Sequence, residues 1–329
     1  MKPRCTIISK PLSPSIYQRN SENKAIIPIE VIYTRPVASI EVKAVGVKIE
    51  SPWISLELYY GRGSGTLELP SGWYSIKMKA MDKDKNIVEE DRIEKIGVGE
   101  VFITSGQSNS LNFGDTLTKS SDPRVLSWNP KINRWVNCED PQPCDIGPEV
   151  DMGVGGSIWP TLGSLLAKEL DIPIGFLATG WGGAGIAEFG KGTIKYERIL
   201  NALNTIKETG ARAVLWHQGE TDAAFETTGE EYELLLKDLI YRSRRDSEMN
   251  IPWVIANAAY HPKAETNNEK VILQAQKNCC NGTDIILGPN TDELLGDNRI
   301  TNSAHFTKKG LEEHGKLWFS TLKRIFFDS

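Results

Sequence analysis

The sequence predicts an α/β protein of two domains: an antiparallel β-sandwich over residues 1–98 and a parallel sheet with helices on both faces over residues 99–329. Two observations predict this division. Apolar residues recur with a period of two before residue 98, whereas short apolar runs alternate with amphipathic segments after it. A third observation concerns the second domain alone. Four polar blocks there follow strand-like runs, at the edge of an open parallel sheet where ligands bind.

The composition is that of an ordinary soluble protein. Of the 329 residues, 40% are hydrophobic and 25% are charged, and the chain is long enough to bury a sizeable core. The net charge of −5 offers no basic surface, so we expect neither nucleic acid nor an anionic membrane as a partner. No apolar run approaches the length of a membrane span, and the start of the chain lacks the apolar stretch of a signal peptide.

The cysteines argue against a disulfide scaffold, because the chain has five of them, an odd number for its size. Cys138 and Cys144 either form a bridge or are free thiols, and the adjacent Cys279 and Cys280 are expected to pack at a helix end. Neither a CxxC pair nor an HExxH motif is present, so we expect no metal site.

In the first domain, apolar residues alternate with others over residues 27–33, 40–44 and 74–80. Turns over residues 61–65 and 70–72 separate such runs, which is typical of a small antiparallel sandwich. Its length of about 95 residues suits one immunoglobulin-like module. Its role is either packing and spacing or sugar binding through aromatic residues. The aromatic candidates are Trp53, Trp73, Tyr59 and Tyr60.

In the second domain, strand-like runs alternate with amphipathic segments, the pattern of a parallel sheet covered by helices. The first run is short and apolar, and ends at Ser105-Gly106. The predicted strands span residues 101–105, 172–178, 213–217, 252–258 and 284–288. The predicted helices span residues 158–170, 193–209, 229–245, 265–279 and 307–327. Residues 110–156 have little periodicity and predict a long functional or covering loop.

Four polar blocks lie where the predicted strands meet their loops. The blocks are GQSN at residues 106–109, TGWGGAGIAEF at 179–189, HQGETD at 217–222 and ITNSAHFTKKG at 300–310. Because the carboxyl ends of parallel strands meet at one edge of a sheet, we expect the four blocks to lie together.

A serine in such a block becomes a nucleophile only if a base removes its proton and donors stabilise the resulting oxyanion. Ser108 is the candidate nucleophile. Of the four histidines, His305 lies in a polar loop before a helix and is the candidate general base. His217 is expected to hold a loop, His314 lies within a helical pattern, and His261 has no evident partner.

Neutral donors that are fixed in place suit an oxyanion. The candidates are the backbone N–H of Ser108, the glycines of residues 181–184, which allow close approach, and the side-chain amide of Gln218. Trp181 either stacks on a sugar ring or belongs to the core. We expect the substrate to contact Trp181, Asn109 and Glu220.

Together, GQSN, WGGAGIAEF, HQGETD and the terminal SAHF resemble the SGNH-hydrolase superfamily, specifically its sialate O-acetylesterase-like carbohydrate esterases. The resemblance covers residues 100–329. It implies a flavodoxin-like three-layer α/β/α fold and removal of acetyl groups from sugar hydroxyls through an acyl-enzyme, without a cofactor. It also implies Ser108 as nucleophile and His305 as base. The implied oxyanion hole consists of Ser108 N–H, Gly183 N–H and Gln218.

One position departs from the family pattern, which has an aspartate three residues before the catalytic histidine. Asn302 stands there. An asparagine can accept a hydrogen bond from Nδ1 of His305, but it supplies no negative charge, and the equivalent change in a serine protease costs about four orders of magnitude in turnover. Three explanations compete: a Ser–His pair oriented by the amide, another acid, or a chain that binds without turnover. The alternative acids are Glu220, Asp222, Asp292 and Asp297.

The sequence therefore predicts a carbohydrate O-acetylesterase with an N-terminal accessory domain, acting on an O-acetylated sugar. A non-catalytic glycan-binding protein on the same fold is the rival hypothesis, supported by Asn302. A lipase or thioesterase is a third, weaker hypothesis, because no apolar lid helix accompanies the four blocks.

Overall fold

The computed structural model describes residues 5–47, 49–144 and 152–328. The chain divides into two compact units. The first comprises Met1–Glu100 with Asp171–Pro173, and the second comprises Val101–Leu170 with Ile174–Ser329. The predicted α/β class is confirmed by the central sheet and helices of the second unit.

The first unit contains β-strands alone among its described elements. They are β1 Thr6–Lys10, β2 Ser15–Gln18, β3 Lys24–Tyr33, β4 Ser39–Gly46, β5 Ile54–Ser55, β6 Glu57–Tyr59, β7 Arg62–Pro70, β8 Gly72–Met81 and the first part of β9 Ile87–Gly106. One sheet has the order β1-β3-β7-β6. In the other, β4 pairs with β5 and β8, and β9 pairs with β8 and β2.

Alternation along these strands builds one core between the two sheets. Most of the alternating residues of β3, β4 and β8 that the sequence predicts to be apolar are buried in a single cluster, with Tyr33 partly buried against it, while most of their neighbours are more exposed. The cluster includes Ile27, Val31, Val42, Ile76 and Met78. The immunoglobulin-like class of this unit stays a prediction.

The predicted turn over residues 61–65 is wrong in its extent. The chain turns at Tyr60 and Gly61, both with positive φ, and Gly63 and Gly65 already belong to β7. A Cβ on Gly65 would lie 2.7 Å from the Leu56 side chain. These glycines thus make room for leucines, which a glycine-rich sequence does not distinguish from a turn.

The second unit is built on a sheet with the order β11-β10-β12-β9-β13-β14-β15. Its further strands are β10 Val125–Asn129, β11 Arg134–Asn137, β12 Ile174–Ala178, β13 Ala213–His217, β14 Trp253–Asn257 and β15 Ile285–Asn290. β13 runs parallel to β9 and β14, and β15 runs parallel to β14. Every residue of β13 and β14 is buried, so both faces of the sheet are covered.

Six α-helices lie in the described part of the second unit. They are α1 Trp159–Leu170, α2 Ile194–Thr205, α3 Glu220–Ala224, α4 Gly229–Ser247, α5 Thr266–Cys279 and α6 Lys308–Phe326. α1 packs with α6, whereas α4 packs with α2 and α5. Side-chain oxygens of Thr193, Thr228 and Thr307 cap α2, α4 and α6 by accepting backbone N–H groups.

Two predictions about the start of this unit need correction. β9 is a 20-residue strand rather than a short run. Its last eleven residues are all buried, whereas its earlier residues alternate between half-buried and exposed and therefore give no apolar run. The predicted loop over residues 110–156 contains β10 and β11, whose short antiparallel pairing leaves little periodicity in a segment rich in Gly, Pro and Asp. Residues 145–151 of that loop lie outside the described residues.

The described helices include none long and apolar enough to cross a membrane. All five cysteines are described and are free thiols, so Cys138 and Cys144 form no bridge. Burial raises the pKa of Cys138 to about 12, which keeps this thiol protonated and unreactive.

Candidate active site

The loop that carries Ser108 leaves β9 at a position that only glycine fits. Gly106 has a φ of 122°, and a Cβ there would lie 2.0 Å from the carbonyl oxygen of His217. The close approach lays the end of β9 against the end of β13. A short 3-10 helix, Ser108–Ser110, follows at once, so the Ser108 N–H is at its first position and has no acceptor within the helix.

Ser108 and His305 lie together, although 197 residues separate them in the chain. The Ser108 Oγ is 2.9 Å from Nε2 of His305, and the ring of Phe113 lies 5.2 Å from the imidazole. Burial lowers the pKa of His305; the nearby Arg299 and His261 act in the same direction, whereas Glu220 opposes them. His305 is therefore neutral at neutral pH and can accept a proton from the serine.

The loop of His305 is anchored through the carbonyl oxygen of its neighbour, Ala304. This oxygen accepts a hydrogen bond from Asn109 Nδ2 at 3.0 Å and another from Nη1 of Arg299. The same guanidinium donates to the carbonyl oxygens of Leu294 and Thr291, at 2.8 and 3.0 Å. Its stacking on Phe306, 3.8 Å from the ring centroid, adds a cation–π contact. His305 is thus held by groups on both sides.

Asn109 and Glu220 are buried supports and have no open face for a substrate. Asn109 Nδ2 donates to Glu220 Oε1 at 2.7 Å, and Nε2 of His217 lies 3.1 Å from the same oxygen. Glu220 is 1% exposed. Its burial opposes ionisation, but the charge of His217 and the hydrogen bonds from His217 and Asn109 lower the pKa of Glu220 to about 2. The expected substrate contacts of these two residues are therefore not supported by their positions.

The other buried histidine, His314, packs against this group. Its ring lies 4.9 Å from the ring of His217, and its Nε2 accepts a hydrogen bond from Nε1 of Trp318 at 3.0 Å. Burial holds the pKa of His314 well below its ordinary value. Its place is in the core of the unit.

Gln218 is fully buried and its amide holds two loops together. Nε2 donates to Oε1 of Gln107 and to the carbonyl oxygen of Ala184, at 3.2 Å each, and to Asp222. With three protein acceptors, this nitrogen is not free to face an oxyanion as the sequence led us to expect. Oε1 of Gln107 also accepts from the N–H groups of Gly219 and Thr221.

Asp222 joins the second polar block to the third. Its carboxylate accepts the backbone N–H of Ile186 at 2.9 Å, the hydroxyl of Thr227 at 2.8 Å and the amide of Gln218. Burial raises the pKa of Asp222 despite these hydrogen bonds. The role of this residue is to fix the loop that carries Gly183.

Gly183 is exposed and open toward solvent. Its φ is 68°, nothing lies within 4 Å of a Cβ built on it, and its N–H has no acceptor among the described residues. The same loop is tied to the nucleophile strand by the N–H of Trp181, which donates to the carbonyl oxygen of Gly106 at 3.0 Å. The N–H groups of Gly183 and Ser108 are therefore the two free donors of the predicted oxyanion hole.

Trp181 is only 5% exposed, so little of its indole could stack on a sugar. The guanidinium of Arg198 and the ammonium of Lys195 lie over the ring, 4.3 and 4.7 Å from a ring centroid. Of the two alternatives for this side chain, the core and rim position fits its surroundings.

Asn302 is exposed, has a φ of 56° and makes no hydrogen bond with His305. Among the described residues, no group accepts a hydrogen bond from Nδ1 of His305. The alternative acids are engaged elsewhere: Asp292 accepts the N–H groups of Ala259 and Tyr260, and Asp297 is exposed beside Lys309. Glu220 is the one acid of the four whose charge acts on His305.

Two supporting residues, Gln107 and Arg299, were not predicted from the sequence. Gln107 carries a signal, because it lies inside the GQSN block. Arg299 carries none, since a single arginine before a polar loop has no pattern of its own. Within the described ranges, no group of three His, Cys, Asp or Glu side chains is arranged to hold a metal ion.

Comparison with known proteins gives a family match, a relative by sequence and solved structures with a similar fold. Residues 98–323, more than half of the chain, match the family model described as carbohydrate esterase, sialic acid-specific acetylesterase. The probable carbohydrate esterase At4g34215 of Arabidopsis thaliana is 26% identical over 174 residues, which are 46% of this chain and 65% of that protein. This sequence match thus spans less than two thirds of the relative's length.

Two solved structures have a similar fold. The structure of At4g34215 is 20% identical with a TM-score of 0.56, and the match covers 67% of this chain and 96% of that one. XAC1771, described as a novel carbohydrate acetylesterase from Xanthomonas citri, is 15% identical with a TM-score of 0.59. The second match covers 96% of this chain and 73% of that one.

Proposed function

Since the chain belongs to the sialic acid-specific acetylesterase family of carbohydrate esterases, we propose that it is a serine esterase that removes O-acetyl groups from a carbohydrate through an acyl-enzyme. The second unit would be the catalytic domain, of the flavodoxin-like SGNH type, and the first an accessory domain. If the five strands β12-β9-β13-β14-β15 are numbered among themselves in chain order, leaving out β10 and β11, their order in the sheet is 2-1-3-4-5, which supports the flavodoxin-like assignment.

The single observation that carries the mechanism is the 2.9 Å contact between Ser108 Oγ and His305 Nε2. In the first step, Oγ of Ser108 bonds to the acetyl carbonyl carbon while its proton passes to Nε2 of His305. The bond between that carbon and the sugar oxygen then breaks. The leaving oxygen takes the proton from His305, which releases the sugar hydroxyl and leaves acetyl-Ser108.

Water completes the cycle. It attacks the acetyl carbon of the acyl-enzyme as its proton passes to Nε2 of His305. The bond between the carbon and Oγ of Ser108 breaks, the serine regains the proton, and acetate leaves. No cofactor is needed, because each step moves only a proton and an acyl group between the serine, the histidine, the substrate and water.

The negative oxygen of each tetrahedral intermediate needs fixed donors. The free N–H groups of Ser108 and Gly183 fill this role in our proposal. Gln218 acts indirectly, by holding together the loops of Gln107 and Ala184. Glu220 supplies the negative charge that favours the imidazolium of His305, and Asn302 takes no part. The family's aspartate is thus replaced in function by a buried carboxylate from another loop.

The test is acetate release from 4-nitrophenyl acetate and from O-acetylated sialic acid and xylose. Ser108→Ala should lower kcat by at least about a thousandfold on every substrate that the wild type cleaves. Ser320→Ala, an exposed serine of α6, is the matched control and should retain full activity. Unchanged acetate release by Ser108→Ala contradicts the serine mechanism. A wild type that binds these sugars but releases no acetate supports the glycan-binding alternative instead.

A further inference from the structure

The loop after β14 carries a histidine that the proposed reaction does not use. His261 follows β14, whose carboxyl end lies at the same sheet edge as the loop of Ser108 after β9. The loop of Gly183 follows β12 in the chain, and the order of the strands in the sheet is β12-β9-β13-β14. His261 and Gly183 therefore lie on opposite sides of Ser108. Neighbouring strands are about 4.8 Å apart, so β14 lies about 10 Å from β9.

The backbone of residues 258–261 is fixed by side chains from neighbouring elements. Each of four successive N–H groups donates to a side-chain oxygen, which comes either from α5 or from the short 3-10 helix Thr291–Glu293. The pairs are Ala258 with Gln276 at 2.9 Å, Ala259 and Tyr260 with Asp292 at 2.9 Å each, and His261 with Glu269 at 3.4 Å. A loop held in this way places its side chains reproducibly.

This loop is also linked to the catalytic base. The guanidinium of Arg299 lies 5.2 Å from the ring centroid of Tyr260, and it donates to the carbonyl oxygen of Ala304, the neighbour of His305. Burial is the main reason for the lowered pKa of His305, and the charges of Arg299 and His261 act in the same direction. His261 is thus within electrostatic range of the base.

The hydrogen bonds of His261 decide which of its nitrogens carries the proton. Nδ1 accepts the backbone N–H of Lys263 at 3.2 Å, so the neutral ring is protonated on Nε2. Burial lowers the pKa of His261, which favours this neutral form. Among the described residues, its Nε2–H has no acceptor. The loop therefore presents one fixed, unpaired hydrogen-bond donor.

We propose that Nε2–H of His261 donates a hydrogen bond to an oxygen of the sugar portion of the substrate, a hydroxyl or a carboxylate, on the side of the leaving hydroxyl. The inference rests on the proposed function. The donors for the acetyl oxygen belong to the loops after β9 and β12, so the acetyl group occupies that side of Ser108. The leaving oxygen must face His305, and the sugar then extends toward β14. His261 is a specificity residue in this arrangement.

The experiment compares sugar esters with an ester that lacks a sugar. The kinetics of wild type, His261→Ala and His261→Gln are measured on O-acetylated sialic acid, acetylated xylose and 4-nitrophenyl acetate. We expect His261→Ala to lower kcat/KM about tenfold on the favoured sugar ester, mainly through KM, the effect of one hydrogen bond. On 4-nitrophenyl acetate it should have no effect. His261→Gln keeps an N–H donor and should restore most of the loss.

A control in the same loop is Lys263→Ala, whose side chain is exposed and lies outside the proposed site. It should match wild type on all three esters. Equal losses on sugar and aryl esters in His261→Ala overturn the inference, because the residue would then act through the structure of the site. Unchanged kinetics on every sugar ester overturn it as well. A wild type that cleaves only 4-nitrophenyl acetate refutes the carbohydrate substrate, and the inference falls with it.

Discussion

The two units of the chain distribute their polar residues in different ways. In the first unit, strands such as β3 and β4 bury every second side chain and leave the others facing outward along the whole strand. In the second, β13 and β14 are buried along their full length. A sheet covered on both faces has little room for polar side chains except at its strand ends. A polar residue at a strand end therefore indicates a candidate functional position in the second unit. An outward-facing polar residue of the first unit gives no such indication.

The four histidines also differ between the units, because all of them lie in the second unit. Two of them, His217 and His314, are buried together, and the other two, His261 and His305, are half-buried in loops. The largest effect of any substitution should thus come from a loop residue of the second unit, and substitutions in the first unit should affect folding alone.

The replacement His305→Ala should have the largest effect on catalysis. Without the base, Oγ of Ser108 keeps its proton, and we expect kcat to fall by about 10⁴-fold while the fold persists. Steady-state acetate release measures the loss, and circular dichroism checks the fold. Ser320→Ala is the control and should keep full activity. A loss of less than tenfold in His305→Ala would leave the proposed base without support.

Matched core substitutions, one in each unit, test whether only the second unit supports catalysis. Ile76 in β8 and Ile255 in β14 are both fully buried. Each Ile→Ala change should lower the free energy of unfolding by about 2–5 kcal/mol. We expect Ile255→Ala alone to lower kcat as well, because β14 supports the loops of the site. Urea unfolding and kinetics at saturating substrate give the two quantities. Equal losses of kcat in both variants would contradict the assignment of the first unit as accessory.

Glu220→Gln tests whether a buried carboxylate supports the base. Gln keeps the oxygen that accepts from Asn109 and His217 but removes the charge that raises the pKa of His305. The proposed mechanism needs neutral His305, so kcat/KM should fall as the pH drops through the pKa of His305, which lies below the ordinary value of 6.5. Loss of the negative charge lowers that pKa further. The acidic limb of the pH–rate profile should therefore move to lower pH.

Two other results for the acidic limb would contradict this prediction. A shift of the acidic limb to higher pH would mean that Glu220 does not favour the imidazolium. An unchanged limb would mean that its charge does not reach the base. Asp297→Asn, a substitution of an exposed carboxylate, is the control and should leave the profile in place.

The framework of the second unit could be predicted from the sequence because its signals are local. Fully buried strands give continuous apolar runs, and threonine caps mark the start of α2, α4 and α6. The short strands β10 and β11 gave no such signal, since few of their residues are buried on one regular face. The five-residue α3 was missed because it is too short to show periodicity.

The location of the candidate site could be predicted from the sequence, whereas the direction in which each of its side chains faces could not. The polar blocks do meet, and Ser108 and His305 lie within hydrogen-bonding distance. Residues of neighbouring blocks nevertheless face different ways: Gln218 and Glu220 are buried and hold loops, whereas Gly183 is exposed. Which way a loop residue faces depends on partners far away in the chain, such as Gln107 for Gln218. Spacing alone does not contain that information.

The smallest effect is expected at Asn302, where the spacing pointed to a catalytic partner. Its side chain is exposed and does not contact His305, so Asn302→Asp should change kcat/KM by less than about twofold. Its φ of 56° makes the backbone the sensitive feature: Asn302→Ala should cost about 1 kcal/mol of stability, and Asn302→Gly should not. Acetate release and thermal unfolding measure the two effects. A large gain of activity in Asn302→Asp would instead mean that residue 302 reaches the histidine during catalysis.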